Sequence, residues 1–309
     1  MALNKVLVTG SSGFIGSWVV ERLLADGLKV VRFDHAAPGV LTQESPHSVD
    51  LFLGDTRDAT AVHEAMAHVD GFIHLAGVLG SQETIQNPMP AVETNIVGGV
   101  NVLEAATFFG VPGVNIAVGN YWESNTYSIT KNTVERLIEM YVKYRGAKIS
   151  NVRAFHAYGP RQSVAQSYGT SNVRKIIPSF VSRALHGDPI EIYGSGNQIA
   201  DMIYVTDVAD FLVDALYATY EKGAAGKTIE AGTGAELTVR NVAEAVVQAV
   251  GRGEVSYLPL RQGETPDAII QADRSTQSFV YPDGKQFVGL EEGLAQTIAY
   301  YRSQFKIEE

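Results

Sequence analysis

Apolar and polar positions follow two rhythms over the first half of the chain. Short β-branched runs at 5–10 (KVLVTG), 29–34 (KVVRFD), 49–55 (VDLFLGD), 69–77 (VDGFIHLAG), 111–119 (VPGVNIAVG) and 148–155 (KISNVRAF) predict buried strands. The stretches between them place apolar residues at helical spacing: 14–27, closed by Gly27, then 58–68, 89–110 and 127–146. Regular alternation of this kind predicts an α/β fold with a doubly wound parallel sheet covered on both faces. After about residue 156 the rhythm loosens into loop composition and short elements, which predicts a smaller C-terminal lobe. The expected division is 1–155 for the sheet domain and 156–309 mainly for the lobe, with segments near 200–232 returning to the sheet.

Composition narrows the possible chemistry. A chain of 309 residues that is 45% hydrophobic has enough apolar surface for a sizeable core. No run of about 18 uncharged apolar residues occurs, and the N-terminus enters a strand without a charged leader, so a soluble, cytoplasmic protein with no membrane partner is expected. The absence of cysteine removes a disulfide framework, a thiolate nucleophile and a cysteine-based zinc site. The seven histidines lack metal-type spacing, so no metal is expected. With 24 basic and 34 acidic residues and no basic stripe, a nucleic-acid partner is not expected either.

Gly10, Gly13 and Gly16 in GSSGFIG lie between the first strand and the first amphipathic helix. Glycine there permits a tight turn and close backbone approach, so that a pyrophosphate meets the free N–H groups of the helix N-terminus. Asp34 ends the second strand 18 residues after Gly16, where a carboxylate accepts hydrogen bonds from ribose hydroxyls and repels a 2′-phosphate. His35 follows it rather than an arginine, so NAD is expected in preference to NADP. Asp55 and Thr56 at the third strand's end are candidates for the adenine edge. Ser12 does not form a nucleophile elbow, because GSSGF is not G-x-S-x-G.

Tyr127 and Lys131 are spaced i and i+4, on one face of a helix. A phenol titrates near pH 10, and a neighbouring ammonium favours its ionised form, which makes the pair a candidate general base.

At this point the chain resembles the extended short-chain dehydrogenase/reductases, in particular the NAD-dependent nucleotide-sugar epimerases and dehydratases. The likeness runs over nearly the whole chain through TGSSGFIG, Asp34, GDTRD, HLAG, NIVGGVNVLEAA, YSITK, RAFHAYGPRQ, IPSFVSRALHGDPIEIYGSG, DMIYVTDVA, RQGE and GLEEGLAQTIAYY. The resemblance implies a Rossmann domain in which Tyr127 is the catalytic base and Lys131 lowers its pKa and bonds the nicotinamide ribose. It further implies Gly10, Gly13, Phe14 and Ile15 at the pyrophosphate, Asp34 at the ribose, and Asp55 with Thr56 at the adenine. Leu75, Ala76, Gly77 and Phe155 would lie along the cofactor, Asn95 would brace the site, and Arg261 would grip a substrate diphosphate.

The departures from that pattern fall at the substrate end. Only VGNYWESNT separates the fifth strand from Tyr127, so the usual Ser/Thr anchor for the reacting hydroxyl is missing. Asn120 takes its place by counting from the strand end, with Ser124 and Thr126 as competitors. The acidic pair of the dehydratases is replaced by Tyr121 and Trp122, with Glu123 beside them. His156 stands where asparagine is usual and Ala200 where an arginine often meets the diphosphate; Arg161, Arg174, Lys175 and Arg183 are candidates to supply that charge. Tyr121, Trp122 and Tyr193 are candidates to stack on a sugar or base. The resemblance and its departures together imply a nucleotide-sugar 4-epimerase acting through a 4-keto sugar, with a dehydratase, a simple dehydrogenase or a non-catalytic NAD-binding protein as alternatives. The resemblance also implies a homodimer through helices 89–110 and 127–146.

Overall fold

The structure, a computed structural model, describes residues 3–35, 48–221 and 223–307. Seven parallel strands form the main sheet: β1 (Lys5–Thr9), β2 (Lys29–Asp34), β3 (Val49–Leu53), β4 (Gly71–His74), β5 (Gly113–Val118), β6 (Ile149–Ala154) and β11 (Thr228–Ala231), in the order β11-β6-β5-β4-β1-β2-β3. Central β1 pairs on both sides, Val6 opposite Val30 of β2 and Gly71 of β4. The order therefore reverses beside β1, and the crevice at its carboxyl end is where α/β sheets of this kind take ligands.

Successive side chains of a strand point to opposite faces, and each face here has its own core. Val6, Val8, Val30, Ile73 and Val114 pack with α1 (Phe14–Ala25) and α8 (Val205–Glu221). Leu7, Val31, Phe33 and Phe72 pack on the other side with α2 (Ala59–Met66), α5 (Gly99–Phe109) and α6 (Thr126–Arg145). Burial on both faces is why these strands read as continuous apolar runs.

One expectation needs correcting at the sheet's end. β3 is an edge strand, with Leu51 and Leu53 exposed at 49% and 60%, and not a buried one. Hydrophobicity alone does not report a strand's place in the sheet.

The expected helix 89–110 is composite: α4 (Met89–Ala91), a π-helical stretch (Val92–Gly98), then α5. Gly98 is required there, since a Cβ would lie 2.5 Å from Thr56 Oγ1. Preceding it is the short α3 (Ser81–Gln86).

The C-terminal half builds a second core from α7 (Ile176–His186), α9 (Val239–Val250) and α10 (Leu290–Phe305), with Phe180, Val181, Val246, Leu294 and Tyr301 buried in it. Three strand pairs join its segments: β7 (His156–Tyr158) with β10 (Met202–Tyr204), β8 (Ile190–Tyr193) with β12 (Val255–Leu258), and β9 (Ile199–Ala200) with β13 (Ile269–Ile270). Within this half, α8 and β11 go back to the main sheet, α8 covering one face and β11 extending its edge beyond β6. Among the described residues no helix is long and apolar enough to cross a membrane, and no His/Cys/Asp/Glu group is arranged to hold a metal.

Candidate active site

One cavity of about 870 Å³ runs from the carboxyl ends of β1, β2 and β4 to the second core. Its nucleotide end is shaped by backbone. Gly10 adopts φ +68°, and a Cβ there would lie 2.7 Å from the Ala76 amide nitrogen. Gly16 is equally constrained, since its Cβ would fall 2.2 Å from the Gly10 carbonyl. These glycines let the β1–α1 turn press against the segment after β4 and leave the start of α1 open to the cavity. Asp34, 8% exposed, accepts a hydrogen bond from the Ser12 amide (2.8 Å) and so ties the second strand's end to the glycine turn.

Gly10, Gly13, Phe14, Ile15, Asp34, Asp55, Thr56, Leu75, Ala76, Gly77 and Phe155 all line the cavity. Asp55 is also bound through its carboxylate to Arg57 (2.6 Å), which holds its pKa below the usual range. Phe155 enters because Gly119 lacks a side chain: a Cβ there would sit 2.7 Å from the ring. Asn95 does not line the cavity. It lies behind the wall, 2% exposed, accepting from the Val78 amide (2.7 Å) and donating to the Val78 carbonyl (3.1 Å) and to Thr130 Oγ1 (2.9 Å). It thereby clamps the loop after β4 to α6 and braces the site without facing it.

Tyr127 and Lys131 project from the first turns of α6 into the same cavity. Asn125 starts that helix, its side chain accepting from the Ser128 amide (2.9 Å), a cap that stabilises a helix by about 1 kcal/mol. Burial pushes the Tyr127 phenol up and lowers Lys131 to about 8, the latter opposed by the carboxylate of Glu135 one turn on. Glu135 is itself bonded to Arg153 (2.6 Å), which also bonds Glu230 (3.0 Å). Buried His74, bonded to Thr9 Oγ1 at 2.7 Å, is held neutral down to about pH 3, by burial first and by the Lys131 charge second.

In the shortened loop, Asn120 and Glu123 face the cavity, whereas Ser124 and Thr126 do not line it. Asn120 Nδ2 donates to Glu123 Oε2 (2.6 Å). Tyr121 and Trp122 are not lining residues: Tyr121 stacks on the Arg153 guanidinium, 3.7 Å from ring centre, and Trp122 is 44% exposed.

At the substrate end the structure gathers His156, Lys175, Tyr193 and Arg261, with Arg174 and Arg183. Arg261 bonds Glu264 and lies 4.9 Å from the Tyr193 ring centre; Arg174 bonds Tyr193 Oη (2.6 Å) and Glu191 (2.8 Å). Arg161 is drawn off instead, pairing with Glu21 (2.8 Å) over the Trp18 ring. The Lys175 ammonium has no hydrogen bond or ion pair among the described residues; burial lowers its pKa, opposed by the Glu83 carboxylate and assisted by Arg261. His156 falls to about 4, chiefly by burial, so its imidazole is neutral near pH 7. Sequence reasoning missed Glu83 in the cavity wall; nothing in its spacing marks it, and only its contact with the Gly80 turn places it there.

A dinucleotide fits this arrangement on observations of the chain itself: the turn where a Cβ would collide at Gly10 and Gly16, the helix start beyond it, and Asp34 at the strand end.

Comparison with known proteins agrees. The model of the NAD dependent epimerase/dehydratase family matches residues 6–232. The probable UDP-glucuronate 4-epimerase of Rhizobium meliloti (strain 1021) is 25% identical, covering 98% of this chain and 98% of that protein. UDP-glucuronic acid decarboxylase 1 of Xenopus tropicalis is also 25% identical, over 98% of this chain and 73% of that protein. The structure of Thermus thermophilus UDP-glucose 4-epimerase in complex with NAD superposes with a TM-score of 0.79 at 27% identity, covering 96% of this chain and 99% of the other. With a family model matched over residues 6–232 and the fold shared with a solved relative, the chain belongs to the NAD-dependent epimerase/dehydratase family, a branch of the extended short-chain dehydrogenase/reductases.

Proposed function

We propose that this protein is an NAD-dependent nucleotide-sugar 4-epimerase acting through a transient 4-keto sugar. The observation that carries this reading is the continuity of one cavity from the glycine turn, past Tyr127 and Lys131, to Lys175 and Arg261. The bound dinucleotide supplies the hydride acceptor and afterwards the hydride donor.

Tyr127 takes the proton of the C4 hydroxyl and later returns it. Its buried phenol resists ionisation, so the Lys131 ammonium, one helical turn away, is what makes the phenolate attainable. Asn120 holds the reacting hydroxyl in place of the usual Ser/Thr. Lys175, whose ammonium makes no hydrogen bond or ion pair among the described residues, and Arg261 receive the diphosphate, with His156 and Tyr193 beside them. A dehydratase is the second reading, because Glu123 lines the cavity and is a carboxylate available for elimination.

The test is incubation with UDP-, GDP-, dTDP- and CDP-sugars followed by NMR and mass spectrometry. An isomer of unchanged mass is expected; loss of water selects the dehydratase. Tyr127→Phe is expected to lower turnover by about 10²–10⁴-fold with NAD retained, and unchanged turnover overturns the mechanism.

The reading includes a homodimer through helices 89–110 and 127–146, supported by the exposure of Val97, Phe108, Ile129 and Tyr144 on those helices. A single monomeric mass at micromolar concentration in light scattering overturns it. A cytoplasmic location goes with a reaction that draws on nucleotide sugars, and cell fractionation checks it.

A further inference from the structure

Two carboxylates hold the Arg153 guanidinium by its edges. Its Nε and Nη2 donate to the two oxygens of Glu135 on α6 (3.1 and 2.6 Å), and Nη1 donates to Glu230 Oε1 on β11 (3.0 Å). Glu230 is fixed in turn, its other oxygen accepting from the Asp273 amide (2.7 Å). With all three nitrogens engaged in the plane, the flat face of the guanidinium is the surface left to attract a partner. The Tyr121 ring lies over that face, its centre 3.7 Å from the guanidinium carbon. A ring's negative face attracts a cation, and more strongly where water is scarce; the Arg153 side chain is 16% exposed.

Tyr121 directly follows Asn120. Asn120 lines the cavity and Tyr121 does not, so the two side chains leave the shortened loop in different directions. Two tethers therefore set where Asn120 sits. One runs through Glu123 and Asn125 to the start of α6. The other runs through the Tyr121 ring to Arg153 of β6, and from there through Glu135 to the same helix, one turn beyond Lys131. Asn120, Tyr127 and Lys131 are thereby referred to one rigid frame, and a reacting group displaced by about 1 Å can lose about 10²-fold in rate.

We propose that Tyr121 is a positioning residue: its stack on Arg153 pins the shortened loop to the sheet and aims Asn120 at the hydroxyl that Tyr127 deprotonates. This rests on the nucleotide-sugar reading above, in which Asn120 holds that hydroxyl, and deepens it by naming what holds Asn120.

The experiment uses NAD-loaded protein and whichever nucleotide sugar the parent converts, with kcat and KM from NMR time courses and substrate Kd from calorimetry. Tyr121→Ala is expected to lower kcat by about tenfold or more while NAD content and substrate Kd hold. Tyr121→Phe keeps the ring and is expected to keep kcat within about twofold of the parent. In an Asn120→Ala background the same Tyr121→Ala change is expected to cost less than about twofold, because the group it aims is gone. Unchanged kcat in Tyr121→Ala, a Phe variant as slow as the Ala variant, or an equal loss with and without Asn120 overturns the proposal alone. If Tyr121→Ala fails to fold, Tyr121→Leu, which fills space without an aromatic face, decides by the same criteria. A parent that converts no nucleotide sugar overturns the underlying reading and this inference with it.

Discussion

The two ends of the cavity are made of different material. At the cofactor end, shape comes from backbone: Gly10 and Gly16 admit no Cβ, and Asp34 is tied to the Ser12 amide. At the substrate end, shape comes from side chains that restrain one another, Arg261 by Glu264, Arg174 by Glu191 and Tyr193, Glu123 by two asparagines. A site made of backbone tolerates almost no substitution, whereas one made of paired side chains can be re-specified pair by pair. The glycine turn is a site of the first kind, and Asn120, His156 and Arg261 belong to one of the second.

Changes at each end sharpen that contrast. The largest effect is expected from Gly16→Val, which forces carbon atoms into the Gly10 carbonyl; it should abolish NAD binding in calorimetry and cost about 3 kcal/mol or more of stability. Arg261→Ala should leave NAD affinity unchanged and weaken nucleotide-sugar binding by about 2 kcal/mol, read as a Kd rise of tens of fold. A loss of NAD affinity in that variant would erase the distinction between the ends.

Acid should also act on the cofactor side. His74 is neutral in the fold down to about pH 3, whereas the unfolded chain protonates it near 6.5. The unfolded state therefore binds more protons between those values, and stability falls as pH drops through that window, by about 2 kcal/mol from this group at pH 5. Urea unfolding at pH 7 and pH 5 measures the slope, which His74→Gln should flatten. The smallest effect is expected from Asn125→Ala, about 1 kcal/mol of stability from the lost cap, together with a looser Glu123 and a higher KM.

The same contrast governs what could be read from the chain. Strand runs, the glycine turn, Asp34 and the Tyr127–Lys131 spacing are local patterns, and the parallel sheet and cofactor end follow from them. The exposure of Leu51 and Leu53 was not legible, because strand order decides which strand is an edge. Nor was Asn95's place behind the wall, which depends on partners at Val78 and Thr130, nor the outward turn of Tyr121 onto Arg153. The pairing of Glu123 with Asn120 and Asn125 is close in sequence, but no periodicity or motif marks it, since it depends on how the loop before α6 turns back on itself.

The placement of aromatic residues has an optical consequence. The chain has two tryptophans: Trp18 on α1, under the Arg161 guanidinium, and Trp122 in the shortened loop directly before Glu123. Neither indole lines the cavity, but Trp18 sits on the helix that follows the glycine turn and Trp122 in the loop that carries Asn120. In Trp18→Phe protein the remaining emission comes from position 122, and in Trp122→Phe protein from α1. Stopped-flow fluorescence on the two variants would time nucleotide and sugar arrival separately, with no added label.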